Sequence, residues 1–215
     1  MRNIKKILKE DDLGDMGIGA MIVFIAMVLV AGIAASVLIQ TANRLEIQAM
    51  QTGQQTTEEV ATGIGVEDIT GEKVGATIDN IAITVSARSG SKDIDLSNTV
   101  VELSDSTNKY LLTYEPTLWF AEPDVSGVFG TAAFVGTALQ FGIIVLEDAD
   151  DSCILANPVI NRGDHVLLTI NANACFGGLA ERTDIWGMVI PESGASGVFA
   201  FRTPASYPDT VFDLY

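Results

Sequence analysis

From Met16 to Asn43 the sequence contains no Lys, Arg, Asp or Glu, and between Ala20 and Ile39 only Gly32 and Ser36 interrupt apolar or alanine positions. Such a run is long enough to cross the ~30 Å hydrocarbon core of a bilayer as a helix. Arg2, Lys5, Lys6 and Lys9 all precede it. The positive-inside rule therefore leaves Met1 in the cytoplasm and everything beyond Arg44 outside. A secretory leader would end a core of roughly 7–15 apolar residues at a small-residue cleavage site. This core is longer and continues into Gln40-Thr41-Ala42-Asn43-Arg44.

Fourteen bulky side chains occupy the run: Ile18, Met21, Ile22, Val23, Phe24, Ile25, Met27, Val28, Leu29, Val30, Ile33, Val37, Leu38 and Ile39. They fall on every angular face of a helix, so the helix must be enclosed on all sides by lipid or by copies of itself. At ~2 kcal/mol each, their transfer from water is worth ~28 kcal/mol gross. Release from lipid gives far less, because lipid is already apolar. Ala31, Gly32, Ala34, Ala35 and Ser36 would let helices approach closely. Further on, Leu38, Ala42, Leu45 and Ala49 form a one-sided stripe, with Gln48, Gln51, Gln54 and Gln55 largely on the wet side. A helix from about Met16 to Ala61 would be ~69 Å long, about twice what a membrane requires.

Gly14-Asp15-Met16-Gly17-Ile18-Gly19 reads as a glycine-broken approach that a helix disfavours by up to ~1 kcal/mol per glycine, and a protease needs such an extended stretch. Residues Gly17 to Ala31, with Ala34-Ala35-Ser36-Val37-Leu38-Ile39-Gln40-Thr41 behind them and Thr56-Thr57-Glu58-Glu59-Val60-Ala61-Thr62-Gly63-Ile64 further on, closely resemble the amino terminus of archaeal flagellins (archaellins). Three later segments resemble the same family in the same order. They are Val159 to Ile170 with its Gly163-Asp164 turn, Gly187 to Ala195 with Pro191-Glu192-Ser193-Gly194, and Phe201 to Tyr207. Archaellins resemble type IV pilins at the amino terminus, where a membrane aspartic peptidase removes a short basic leader. The resemblance places the cut between Gly14 and Asp15, with Asp15–Met16 as the alternative bond. Family leaders usually keep a basic pair beside the cleaved glycine, whereas Glu10, Asp11, Asp12 and Leu13 stand there in this chain. The stretch from about Arg88 to Asp151 matches no nameable motif.

Charge narrows the partners. Twelve bases against twenty-eight acids give a net charge of −16. The first fourteen residues hold four bases and three acids (+1), leaving eight bases and twenty-five acids (−17) for the rest. Such a surface excludes nucleic acid, whose phosphates need a basic face. Repulsion between like-charged outer domains reaches only ~8 Å at physiological ionic strength, so it weakens a polymer without forbidding one.

Past Gly63 and Gly65, which read as helix stops, the composition turns to Thr, Val, Ile and aromatics. Ile81, Ile83 and Val85 alternate with Ala82, Thr84 and Ser86, and Val166, Leu168 and Ile170 alternate with Leu167 and Thr169. Further strand candidates span 99–103, 110–114, 131–135, 140–146, 185–190, 197–201 and 210–214. About nine short strands with no second long helix predict an α+β chain: a long N-terminal hydrophobic helix followed by an antiparallel, immunoglobulin-like β-sandwich.

Catalytic constellations are not evident. His165, the single histidine, opens a strand after a Gly-Asp turn, and no nucleophile elbow or dinucleotide fingerprint is present. Glu147, Asp148, Asp150 and Asp151 offer oxygen ligands for a hard cation, but they lack EF-hand spacing and read as a solvated acidic loop, so no metal and no cofactor are expected. Arg162-Gly163-Asp164 spells an integrin-type tripeptide but is more simply a turn. Cys153 and Cys175 flank the expected 161–164 turn at similar distances. A disulfide, worth ~3 kcal/mol, and two buried free thiols stand as alternatives. No Asn-x-Ser/Thr occurs, and Asn173-Ala174-Cys175 is only a rare variant.

The expected organisation is a cleaved class III signal peptide over 1–14, a filament-core helix over 15–62 and a β-sandwich over 63–215. The resemblance implies a structural subunit of the archaeal flagellum, not an enzyme, polymerising with itself and with other archaellins. It further implies a prepilin-type membrane peptidase, an archaellum ATPase and a membrane platform protein as partners, transient membrane insertion of the precursor, and an extracellular filament. A type IV-like adhesion pilin and a membrane-anchored binding sandwich that never polymerises are the competing readings.

Overall fold

A computed structural model describes the backbone of residues 2–215 and the side chains of residues 17–215. The chain divides into two compact units, Met1–Gln54 and Gln55–Tyr215. Helix α1 runs from Arg2 to Ala61, ending where the sequence predicts but starting earlier. It passes through Gly17 and Gly19 without a break, so the expected unhelical approach is not seen. Two glycines at ~1 kcal/mol each do not interrupt a long helix whose propagation is cooperative.

Twelve strands follow among the described residues: β1 (Ile64–Val74), β2 (Thr77–Ala87), β3 (Ile94–Asp95), β4 (Val100–Ser104), β5 (Lys109–Phe120), β6 (Gln140–Glu147), β7 (Cys153–Ile154), β8 (Asn157–Ile160), β9 (His165–Asn171), β10 (Asp184–Ile190), β11 (Gly197–Arg202) and β12 (Val211–Asp213). A short helix, α2 (Ala172–Phe176), follows β9. Its Asn171 cap accepts the Ala174 N–H at 2.9 Å, the usual role of asparagine at that position.

Nine strands form one sheet in the order β11-β10-β4-β5-β6-β9-β2-β1-β12, and β3-β8-β7 form a small second sheet. All pairs are antiparallel except β5–β6. The main sheet rolls until its ends meet: Ala195 donates to the Thr62 carbonyl at 2.8 Å and Ile64 to the Ala195 carbonyl at 3.1 Å. Both halves therefore feed one apolar core, which includes Ile64, Ile83, Leu103, Phe141, Leu168 and Phe199. Gly142 marks a close approach, since a Cβ there would lie 2.6 Å from the Leu118 carbonyl and from Thr169 Oγ1.

The central strands β6, β9 and β2 are covered on both faces. Ile143 stands opposite Leu168, which stands opposite Ile83, facing the main core. Ile144, Leu167 and Ala82 face a second cluster with Ala133 and Phe134. That cover comes from residues 131–135, predicted as a strand but forming a 3-10 turn over Ala132–Phe134. Alanines are poor strand formers, Gly130 and Gly136 bracket the segment, and Thr169 Oγ1 donates to the Ala133 carbonyl at 2.8 Å to hold it down. Strand β1 has no counterpart among the predicted strands. Its alternation is broken by bulges at Val66/Asp68 and Glu72/Lys73 and diluted by four charged residues.

Candidate assembly surface

Within the helical unit the fourteen bulky side chains lie in the open. Ile25, the least exposed of them, is 50% accessible and Leu38 is 69% accessible. A side chain of this kind left wet forfeits roughly 1.5–3 kcal/mol, and no face of the helix offers a polar alternative over Ile18–Ile39. The first polar contacts appear at its outer end, where Gln40 reaches Ser36 at 3.4 Å and Thr41 Oγ1 donates to the Leu38 carbonyl at 2.9 Å. This is a surface for lipid or for other apolar helices.

The sheet unit gathers the sequence's titratable candidates in one place. Antiparallel pairing of β6 with β9 sets Glu147 beside His165, so the acidic loop after β6 abuts the Gly163-Asp164 turn before β9. Asp148, Asp150 and Asp164 come together with carboxylate oxygens within 4.8 Å of one another, a donor set of the type hard cations use. The same oxygens build the loop. Asp164 is fully buried and accepts the N–H groups of Asn161 at 2.9 Å and Ala149 at 3.1 Å. Asp148 accepts those of Cys153 and Ser152. Hydrogen bonds from Ser152 and Asn161 hold the Asp150 carboxyl below the usual range. The Gly163-Asp164 pair is thus a turn, with Gly163 at φ 101°, and its aspartate is not displayed to a partner. His165 reaches across β2 to Glu67 on β1, Nδ1 to Oε2 at 3.0 Å.

Residues 14–201 match the family described as archaeal-type flagellin. Flagellin B2 of Methanocaldococcus jannaschii is 44% identical over 200 residues, 92% of each chain. Flagellin B3 of Methanococcus voltae is 38% identical across 98% of this chain and 99% of its own. The chain belongs to the archaeal-type flagellin family. The crystal structure of the archaeal flagellin FlaB1 from Methanocaldococcus jannaschii superposes with a TM-score of 0.64 at 31% identity, covering 72% of this chain and 97% of that one. The archaeal flagellum of Methanospirillum hungatei strain JF1 shares the fold, with a TM-score of 0.63 at 14% identity over 92% of this chain and 98% of its own. The long apolar helix followed by a mostly antiparallel β domain is therefore the family's architecture.

In this family member the Gly14–Asp15 bond lies outside the residues described to side-chain level. The two cysteines are buried and carry free thiols in this structure. A hairpin turning at 161–164 would place Cys153 and Cys175 at similar distances from the turn. In the fold, β9 pairs with β2 and β6, while Cys153 lies in the small second sheet and Cys175 in α2. Burial pushes the Cys153 thiol up to about 11. The Trp119 indole opposes that shift, and Asp148 and Asp164 reinforce it. Burial alone raises Cys175 to about 11, and its Sγ contacts the Ala138 carbonyl at 3.6 Å. The convergence of Asp164 with the acidic loop was not read from sequence. The signal for it was the Gly-Asp turn, and what was missing was the β6–β9 register.

Proposed function

We infer that the chain is the structural subunit of an archaeal flagellum filament, with the α1 helices of successive copies forming an apolar bundle and the β domains lying outside it. The observation that carries this reading is the helix itself: residues 18–39 are apolar on all sides and uncovered, in a member of the archaeal flagellin family. Head-to-tail contacts that do not close generate such a helical polymer.

The pathway is the one that the family resemblance implies. The precursor inserts with its basic leader in the cytoplasm. A prepilin-type membrane peptidase removes residues 1–14, which requires the helical backbone to open locally around Gly14, Gly17 and Gly19, where glycines make opening cheap. Transfer of the helix from lipid to bundle has little hydrophobic drive, because both surroundings are apolar. Extraction is therefore work for an ATPase acting through a membrane platform protein. The product is extracellular and moves the cell by rotation, and other archaellins join the same polymer. Filaments sheared from swimming cells should contain this chain beginning at Asp15, and deleting its gene should abolish both filament and swimming. Filaments on cells that cannot swim would favour the adhesion pilin instead.

A further inference from the structure

Between Gly17 and Thr57 the helix carries two charges, Arg44 and Glu46. Two residues apart, they project ~160° from each other at ~100° per residue and cannot meet within one helix. Both are exposed. Among the described residues neither makes a side-chain hydrogen bond or ion pair. The next charge along the helix, Glu58, is already engaged by Lys92 at 2.6 Å.

Apolar side chains alternate with the two charges around the helix. Leu45 and Ile47, 65% and 56% exposed, also lie ~160° apart, one on each side between Arg44 and Glu46. At this level the helix has two apolar faces that need cover, separated by one basic and one acidic strip. In a bundle of parallel copies whose neighbours take up the apolar faces at Leu45 and Ile47, the two charged strips would turn toward the lateral neighbours. A charge enclosed there without a partner would oppose assembly.

We propose that in the polymer Arg44 of each copy pairs with Glu46 of a laterally adjacent copy. The pairing is heterologous, as a helical polymer demands: each copy gives its arginine to one neighbour and its glutamate to another. Every charge in this layer is then neutralised without any further group. Within one copy the two positions differ by only ~3 Å along the axis, so the pairing requires lateral neighbours whose axial offset stays within the reach of two long side chains. Gln40, Gln48 and Gln51 lie on the Arg44 side of the helix and extend the same seam with amide donors and acceptors. Arginine suits this place because its planar fork grips a carboxylate at two points.

The pairing rests on the filament reading, and charge exchange in the full chain tests it. In cells making only Arg44→Glu or only Glu46→Arg, sheared polymer per processed chain should fall at least tenfold, since each interface then juxtaposes like charges. The exchanged chain, R44E/E46R, should return to within twofold of wild type. Cells making both single variants together should yield polymer containing both. Single variants that assemble within twofold of wild type, or an exchange as defective as either single change, would overturn the pairing. If the wild-type chain itself gave no polymer, the filament reading would fall and the pairing with it.

Discussion

The buried carboxylate of Asp164 accepts the N–H of Asn161 at 2.9 Å, closing the turn that precedes β9, and with its other oxygen accepts the N–H of Ala149 at 3.1 Å. One side chain thus ties together two loops brought alongside by the β6–β9 register. Asp164→Ala would leave both N–H groups of this part-buried site without their acceptor. A hydrogen bond of this kind contributes about 0.5–1.5 kcal/mol net, and two are lost together. We expect a destabilisation of about 2–3 kcal/mol in thermal unfolding of the β domain, against less than about 0.5 kcal/mol for Arg162→Ala at the exposed corner of the same turn.

Both thiols should be silent in the folded chain. With Cys153 and Cys175 raised by burial to about 11, little thiolate exists at pH 8, and the thiolate is the reactive form. Alkylation without reductant should label neither residue in the native protein and both after denaturation. Labelling that required prior reduction would mean a bridge.

Acid should relieve a repulsion at the carboxyl-terminal strand. Burial, together with the hydrogen bond and charge of Asp213, raises the Asp68 carboxyl above its ordinary value, while the Ile69 N–H opposes the shift. The folded chain therefore holds this proton to higher pH than the unfolded chain. Stability falls as pH rises from the ordinary carboxylate value through the raised one, and the loss persists at neutrality. Asp68→Asn should accordingly stabilise the protein at pH 7 and have no such advantage near pH 3. The gain should stay below about 1 kcal/mol, because solvent screens the pair. Melting temperatures across that range provide the check.

A charge in the middle of the apolar run should stop assembly without touching the β fold. Val30 is 67% exposed in the single chain, and Val30→Asp would place a carboxylate where only hydrocarbon surrounds it. A penalty of roughly 2.5–3.5 kcal/mol applies even for membrane insertion. Sheared polymer should disappear, while the melting of the β domain stays as in wild type.

The helix was legible because its evidence is local: twenty residues without charge, apolar on every face, have few fates. Its carboxyl end at Ala61 was marked by Gly63. Its beginning was misjudged because two glycines were weighted as a break when they are only a cost. The central strands β6 and β9 were legible as strands, but their runs FGIIV and VLLTI carry the pattern of strands covered on both faces, which the alternation of Val166, Leu168 and Ile170 does not convey. What covers one of those faces was not legible, because Thr131–Val135 has strand-like hydrophobicity and its alanines settle on the outside of the sheet as a turn. Strand β1 was hidden by its bulges. The Asp148–Asp150–Asp164 cluster and the separation of the two cysteines both depend on which strand pairs with β9, a long-range fact that no short window of sequence contains.

Imaging the sheared filament at side-chain resolution bears most directly on whether one apolar helix exchanges bilayer for bundle. Residues 18–39 of every copy should be packed against the same segment of neighbouring copies, in chains that begin at Asp15. Chains that retain residues 1–14, with that segment still embedded in lipid and no copies of it in contact, would contradict the assignment.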